Sequence, residues 1–306
     1  MSLAQQPLTI LSWNTLCYDD AWFDGWGCPL EIERRNALMD LQKNLTMEDA
    51  QQILTKERYY RIRHALLKEM MIEGDSLQTD PSPDFVLLQE LTHDDPWDDE
   101  QDENFADLVA PLYDRVSCQD DYEGNLQRVY VRKDSGWTVK HDYGLEADVL
   151  EGGCLVELAH ELHDELFLVN LHGKSGPMRD PRARKDGLKT LWDEVEGILG
   201  NDSVNNTDDD ATSKLDRLVI CGDWNTHLTD LPQIFSDWGP SPPIAALLKN
   251  QTQSDFSTNH EAGFLAQYDG CILASSPSLQ LHGVSRNLKG FMPKGQNGKL
   301  TGDFSY

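Results

Sequence analysis

Seven short apolar runs set the frame of this chain: Leu8 to Trp13, Phe85 to Leu88, Arg128 to Val131, Cys154 to Leu158, Leu166 to Leu171, Leu218 to Cys221 and Cys271 to Ala274. Each is about four to six residues long and is bounded by Gly, Pro, Asp or Asn, which is the pattern of β-strands rather than of long buried helices. Helical spacing is clearest over Arg58 to Glu73, where Ile62, Ala65, Leu66, Glu69 and Met70 recur at three and four. A second helix is predicted over Ala183 to Leu199, with Leu188, Leu191, Trp192, Val195 and Ile198 on one side and Gly200 as its stop.

The stretches between are irregular by composition. Trp22 to Asn44 is rich in Trp, Gly and charge and reads as part of an insertion spanning about residues 20–55. Asp94 to Glu103 holds seven acids in ten residues and reads as a solvated loop. Asn201 to Ser213, within a loop of about 200–214, reads as disordered, and Leu231 to Pro243, with four prolines, as irregular. Nothing resembles an interdomain linker, so residues 1–306 are expected to form one elaborated domain.

Charge narrows the function. The chain carries 26 Lys+Arg against 53 Asp+Glu, a net −27, which argues against a general nucleic-acid coating protein that works by counterion release. It does not exclude an enzyme that holds one phosphate through a metal ion and a few local side chains. There is no run of roughly 18 apolar residues, so no membrane span is expected. The first residues lack a basic segment followed by an apolar one, so no signal peptide is expected and the placement is intracellular, cytoplasmic. None of the six cysteines forms a C-x-x-C pair, and Cys154, Cys221 and Cys271 lie in apolar runs. Buried thiols in a reducing compartment are expected, and zinc is not.

Chemistry gathers where the apolar runs stop. Leu8-Thr-Ile-Leu-Ser-Trp-Asn14 ends in Asn14, and Asp84-Phe-Val-Leu-Leu-Gln-Glu90 ends in Glu90. Leu218-Val-Ile-Cys-Gly-Asp-Trp-Asn225 ends in Asp223 and Asn225, and Tyr268-Asp-Gly-Cys-Ile-Leu-Ala274 begins with Asp269. In extended chain, Asp223 and Asn225 face the same way and Trp224 faces the other. A carboxylate beside a neutral amide suits a hard cation with an orienting contact to water or phosphate. Alone, each piece is an ordinary strand end or turn; their joint occurrence in this order is the signal.

In Ser12-Trp-Asn14, Leu88-Gln-Glu90, Asn170-Leu-His172, Gly222-Asp-Trp-Asn225 and Tyr268-Asp269 the chain resembles the endonuclease/exonuclease/phosphatase superfamily. The resemblance implies an α/β fold, a four-layer sandwich of two mostly antiparallel sheets packed face to face with helices outside. It also implies Mg²⁺-dependent phosphoester hydrolysis, with Mn²⁺ as the alternative ion. Carried over, it makes Glu90 the principal metal ligand with Asn14 beside it. Asp223 would orient or activate the attacking water, Asn225 would contact the phosphate, His172 would donate to a phosphate oxygen, and Asp269 would support the pocket.

Two departures stand out. The superfamily ends in a Ser-Asp-His segment that occurs nowhere in this chain, so the natural polypeptide is expected to continue past Tyr306, or else the histidine has been lost or relocated, with His260 and His282 as substitutes. For the basic residue that touches phosphate, the middle strands offer Arg128, which shares a face with Tyr130 and Arg132, a face that alternation leaves open to solvent. Lys174, Arg179, Arg182, Arg184 and Lys185 form the one basic cluster, and Lys174 is the candidate substrate contact within it. The expected partner is a phosphoester, in nucleic acid or as a small or lipid phosphodiester. The leading reading is a phosphodiesterase or nuclease. The alternatives are an impaired relative that binds a phosphoester or a protein, and a sphingomyelinase-like enzyme touching lipid through Trp22, Phe23 and Trp26.

Overall fold

Alternation along the apolar runs sorts their side chains into two faces, and both faces are covered. A computed structural model of the chain describes residues 8–15, 29–70, 82–91, 105–116, 126–201, 214–227, 230, 231, 234 and 269–273. One sheet holds four strands in the order β1 (Ile10–Asn14), β2 (Phe85–Leu91), β4 (Leu126–Arg132) and β3 (Tyr113–Val116). The other holds five in the order β5 (Trp137–Gly144), β6 (Leu150–His160), β7 (Leu166–Gly173), β8 (Leu218–Asp223) and β9 (Asp269–Leu273). The pairs β1–β2 and β7–β8 are parallel and the other pairs are antiparallel.

The middle core lies between the sheets and contains Phe85 and Leu87 of β2, Val129 and Val131 of β4, Cys154 and Val156 of β6, Leu168 of β7 and Val219 and Cys221 of β8. The alternate residues Val86 and Leu88 turn outward onto α2 (Met47–Met70) and α3 (Phe105–Val109). Leu155, Val169 and Ile220 turn outward onto α5 (Pro181–Asn201). Helix, sheet, sheet, helix is the four-layer sandwich the sequence led us to expect. No described helix is long and apolar enough to cross a membrane.

Both long helices start earlier than their apolar stripes. Thr46 and Asp49 cap α2 reciprocally: the Asp49 amide donates to Thr46 Oγ1 at 3.1 Å, and the Thr46 amide donates to Asp49 Oδ2 at 3.2 Å. That capping box fixes the start eleven residues before Arg58. At α5, Asp180 Oδ1 accepts from the Arg182 and Ala183 amides at 2.9 Å each, with Pro181 in the first helical position. The helix runs through Gly200 to Asn201, so that glycine is not its stop.

α1 (Pro29–Leu41) and the first turns of α2 lie within the stretch read as an insertion and leave that reading as it stands. Other expectations need correction. Leu231 and Ile234, in the proline-rich stretch expected to be irregular, are helical and packed in the core beside Trp224. Cys154 and Cys221 are buried, but each is disulfide-bonded rather than a thiol. Strand register, which spacing does not disclose, places Cys221 directly opposite Cys271 across β8–β9. The argument for a reducing compartment loses its basis with the thiols. The acidic stretch 94–103, the loop 202–213, Trp22, Phe23, Trp26, His260 and His282 lie outside the described residues.

Gly222 is the tightest point of the second sheet. It adopts φ 142°, and a Cβ there would sit 1.9 Å from the Leu171 carbonyl oxygen on the neighbouring parallel strand. Gly197, inside α5, has nothing within 4 Å of a built Cβ. Gly222→Ala is therefore expected to destabilise the chain by about 3 kcal/mol or more. Gly197→Ala is expected to stabilise it by about 0.5–1 kcal/mol. Urea unfolding of both variants checks the pair; equal midpoints would contradict the packing at β7–β8.

Candidate functional site

The two parallel pairs bring four strand ends to one rim, and the period of two then selects which side chains enter the seam between the sheets. From Ile10, which packs on the middle core, alternation carries Ser12 and Asn14 into the seam while Trp13 joins the outer core. From Leu168 it carries Asn170 and His172, and from Val219 it carries Cys221 and Asp223. Trp224 leaves this face for the core under α5.

Glu90 does not follow this rule. Strict alternation would send it outward with Leu88, onto the helices. The β2–β4 register instead shifts between Leu88 and Leu91, and Glu90 takes φ 55°. A bulge of this kind re-aims a side chain at a local conformational cost. Thr15 holds it in place: its amide donates to the Gln89 carbonyl at 3.0 Å, and its hydroxyl lies 2.9 Å from that oxygen and 3.2 Å from the Glu90 carbonyl. The Gln89 side chain donates across the seam to Asn170 Oδ1 at 2.6 Å, and Asn170 Nδ2 donates back to the Leu88 and Arg128 carbonyls. The two sheets are thus bolted together next to the residues that must meet.

Those residues do meet. His172 Nε2 donates to Glu90 Oε1 at 2.8 Å. Asn14 Nδ2 donates to Glu90 Oε1 and to Asp223 Oδ2, both at 2.8 Å. The Asn225 amide donates to Asp223 Oδ1 at 2.7 Å, and Asn225 Nδ2 donates to the Gly173 carbonyl at 2.8 Å and lies 3.3 Å from His172 Nε2. All five are buried, from 3 % exposure at Asn14 to 8 % at Asn225. Asn225, like Glu90, is left-handed, with φ 45°.

Burial weighs against charge on His172, yet the Glu90 carboxylate, with Asp223 and Glu151 beyond it, more than offsets this and pushes its pKa up to about 9. Burial raises the Asp223 pKa; His172 pulls it down, Glu90 adds to the rise, and the balance is upward. Two carboxyls and an imidazole are thus buried in one cluster. Glu90 Oε2 and His172 Nδ1 are buried in it without a hydrogen-bond partner. One ligand atom from each of Glu90, His172 and Asp223 falls within 4.8 Å of the others. An unpartnered buried carboxylate oxygen beside a second carboxyl fits a divalent cation, which would relieve the crowding of negative charge.

Of the other expected site residues, Asp269 stands opposite Asp223 in the β8–β9 register, and its side chain is outside the described ones. Lys174 lies at the junction of β7 and α4 (Ser175–Arg179), its amide bonded to the Val149 carbonyl. Arg128 is buried beneath the outer core with Nη1 on the Gln127 carbonyl, so its face of β4 is not a solvated one. Thr15, Gln89 and Asn170 as a bracket were not anticipated; Asn170 and Gln89 sat inside the quoted motifs, but their bond crosses 81 residues of sequence.

No family model matches the chain, and no curated protein matches it. Among solved structures it is similar to a humanized D. rerio TDP2 carrying 14 mutations, at 14% identity over 89% of this chain and 85% of that one, TM-score 0.45. It is similar to ANGEL2, a 2',3'-cyclic phosphatase, at 15% identity over 72% of this chain and 53% of that one, TM-score 0.45. It is also similar to the AP endonuclease LMAP from Leishmania major, at 14% identity over 73% and 56%, TM-score 0.32. This chain thus spans about half of the latter two proteins. Likenesses this low say nothing of what the chain acts on. Its architecture stands on its own strand order and register, and it is the architecture of the superfamily its motifs resemble.

The cluster predicts a pH dependence for the metal-free chain. A base whose folded pKa is about 9 stabilises the fold fully below its unfolded value and loses that contribution as pH rises through 9. An acid held above its unfolded value also penalises the fold once it ionises, so Asp223 acts in the same direction. In a metal chelator, Tm is expected to fall as pH rises from about 6.5 to 9, and His172→Gln is expected to flatten that fall. Thermal unfolding at stepped pH checks this; a Tm that climbs over the interval contradicts the Glu90–His172 pairing.

Proposed function

We propose that the chain is a divalent-metal-dependent phosphoester hydrolase, of phosphodiesterase or nuclease type, using Mg²⁺ with Mn²⁺ as the alternative. The observation that carries this is the buried Glu90, His172 and Asp223 group with Glu90 Oε2 left without a partner. Glu90 and Asp223 supply the anionic oxygens that would hold the ion, and Asn14 fixes their spacing by donating to both. When bound, the ion supplies charge neutralisation at the anionic phosphoester.

The chain's own residues do the rest. Asp223 is oriented by the Asn225 amide and by Asn14, and a carboxylate so held can align an attacking water and take its proton. Asn225 Nδ2 and His172 converge within 3.3 Å, a paired donor set for the oxygens on which negative charge grows. Burial strengthens each of these contacts over what it would be in water. Asp269 at the strand opposite and Lys174 beyond His172 complete the proposed site. The −27 charge favours a small or locally read phosphoester over long duplex nucleic acid. The competing reading is a member that binds a phosphoester or a protein partner without turnover.

Hydrolysis of bis(p-nitrophenyl) phosphate separates the two. With Mg²⁺ or Mn²⁺ the wild-type chain is expected to turn over, and Glu90→Gln and Asp223→Asn each to lower the rate by about a hundredfold or more. Asn225→Ala is expected to lower it by about 10²–10³-fold. Metal binding by calorimetry without any turnover would support the binding reading, and turnover indifferent to Glu90→Gln would remove the assignment.

A further inference from the structure

Arg184 belongs by sequence to the basic cluster and by structure to the buried side of α5. Arg184, Leu188, Leu191, Val195 and Leu199 follow one another at three and four, and the last four of them pack in the core under that helix. The residues flanking Arg184 in the first turns are exposed, while Arg184 itself is 14% exposed at the side chain. The stripe therefore delivers a guanidinium, not a hydrocarbon, to the end of the helix nearest the site.

There it meets the turn that follows β8. Arg184 Nη1 donates to Thr226 Oγ1 and to Asp230 Oδ2, the latter at 3.2 Å. Thr226 is buried and directly follows Asn225. The Asp230 amide donates to the His227 carbonyl at 2.9 Å, which closes the turn on itself. On its other side the turn is held by the Asp223–Asn225 bond and by Asn225 Nδ2 on the Gly173 carbonyl. A Cβ on Gly173 would come within 2.8 Å of the Trp224 carbonyl oxygen, so the two backbones are already in contact. Asn225 sits in the middle of these restraints at φ 45°, a left-handed conformation uncommon for a residue with a side chain, though asparagine takes it more readily than most. Without Arg184 the outer half of the turn has no charged anchor among the described residues that bond to Thr226.

We propose that Arg184 is a positioning residue that holds Asn225 in its left-handed conformation by gripping Thr226 and Asp230, rather than a member of a phosphate-contacting basic loop. The proposal rests on the hydrolase reading only for its effect on rate; the effect on the turn is independent of it.

The test joins amide exchange to kinetics. Arg184→Gln and, as a smaller change, Thr226→Val are each expected to speed exchange of the Asn225 backbone amide by about tenfold or more, while amides of β7 stay protected. Both are expected to lower kcat on bis(p-nitrophenyl) phosphate by about 10–100-fold, as for a group displaced by about an ångström. The Mn²⁺ dissociation constant is expected to stay within about twofold, because Glu90 and Asp223 are untouched. In an Asn225→Ala background, Arg184→Gln is expected to cost less than about twofold more. Lys189→Gln, which removes one positive charge from the exposed side of the same helix, is the control and is expected to change neither readout. Asn225 exchange unchanged in both variants overturns the proposal, as does an undiminished Arg184→Gln effect in the Asn225→Ala background. A wild-type chain without turnover counts against the hydrolase reading, and the exchange result then decides this proposal by itself.

Discussion

Two carboxyl groups from different sheets, Glu90 and Asp223, are buried in one seam, and the arrangement of everything around them answers to that fact. Like charges held close in a poorly solvated place cannot both ionise freely. In the metal-free chain His172 and Asn14 both donate to Glu90 Oε1 and Asn14 also to Asp223 Oδ2, while Glu90 Oε2 has no partner among the described residues. A buried pair of this kind is weak evidence for stability, because desolvation takes back much of the Coulomb gain. Glu90 itself and Asn225, two residues from Asp223, are both left-handed, so a second local cost is gathered at the same place.

The frame holds that geometry by simple means. Parallel pairing of β1 with β2 and of β7 with β8 puts their carboxyl-terminal ends together. The Gln89–Asn170 bond and the Asn170 bonds to the Leu88 and Arg128 carbonyls then fix one sheet against the other at that end. Gln89 and Asn170 are fully buried, where the loss of such a bond is costly. Farther down, the seam is filled by apolar residues, among them Leu87, Val156 and Val219.

Much of this was legible. The strands that could be read were the ones buried on both faces, where apolar runs are continuous: Leu166 to Leu171 and Leu218 to Cys221 are buried throughout. β5 escaped notice because it is an edge strand with an exposed middle, Thr138 to Asp142, and no apolar face to show. β3, four residues long with an exposed Asp-Arg at its centre, escaped for the same reason. α1 carries no amphipathic stripe, so periodicity could not reveal it. At the site, Asn14, His172 and Asp223 came from the ends of the apolar runs and the motifs around them, and in the fold they follow alternation. Glu90 was found by its motif, although a period-two reading would have sent it outward; the bulge that corrects this leaves no mark in the sequence. Arg184 was seen as charge and not as a face, since a guanidinium inside an apolar stripe scores as an interruption.

The four strands that build the seam all hand the chain onward at the same rim: β1 after Asn14, β2 after Leu91, β7 after Gly173 and β8 after Asp223. Connections between elements tolerate change in length and sequence better than the strands they join. Lengthening or rewriting them is a route by which descendants of one scaffold can trade one ester for another while the seam stays as it is. Divergence of that kind would leave little overall identity between cousins and a handful of scattered polar letters in common.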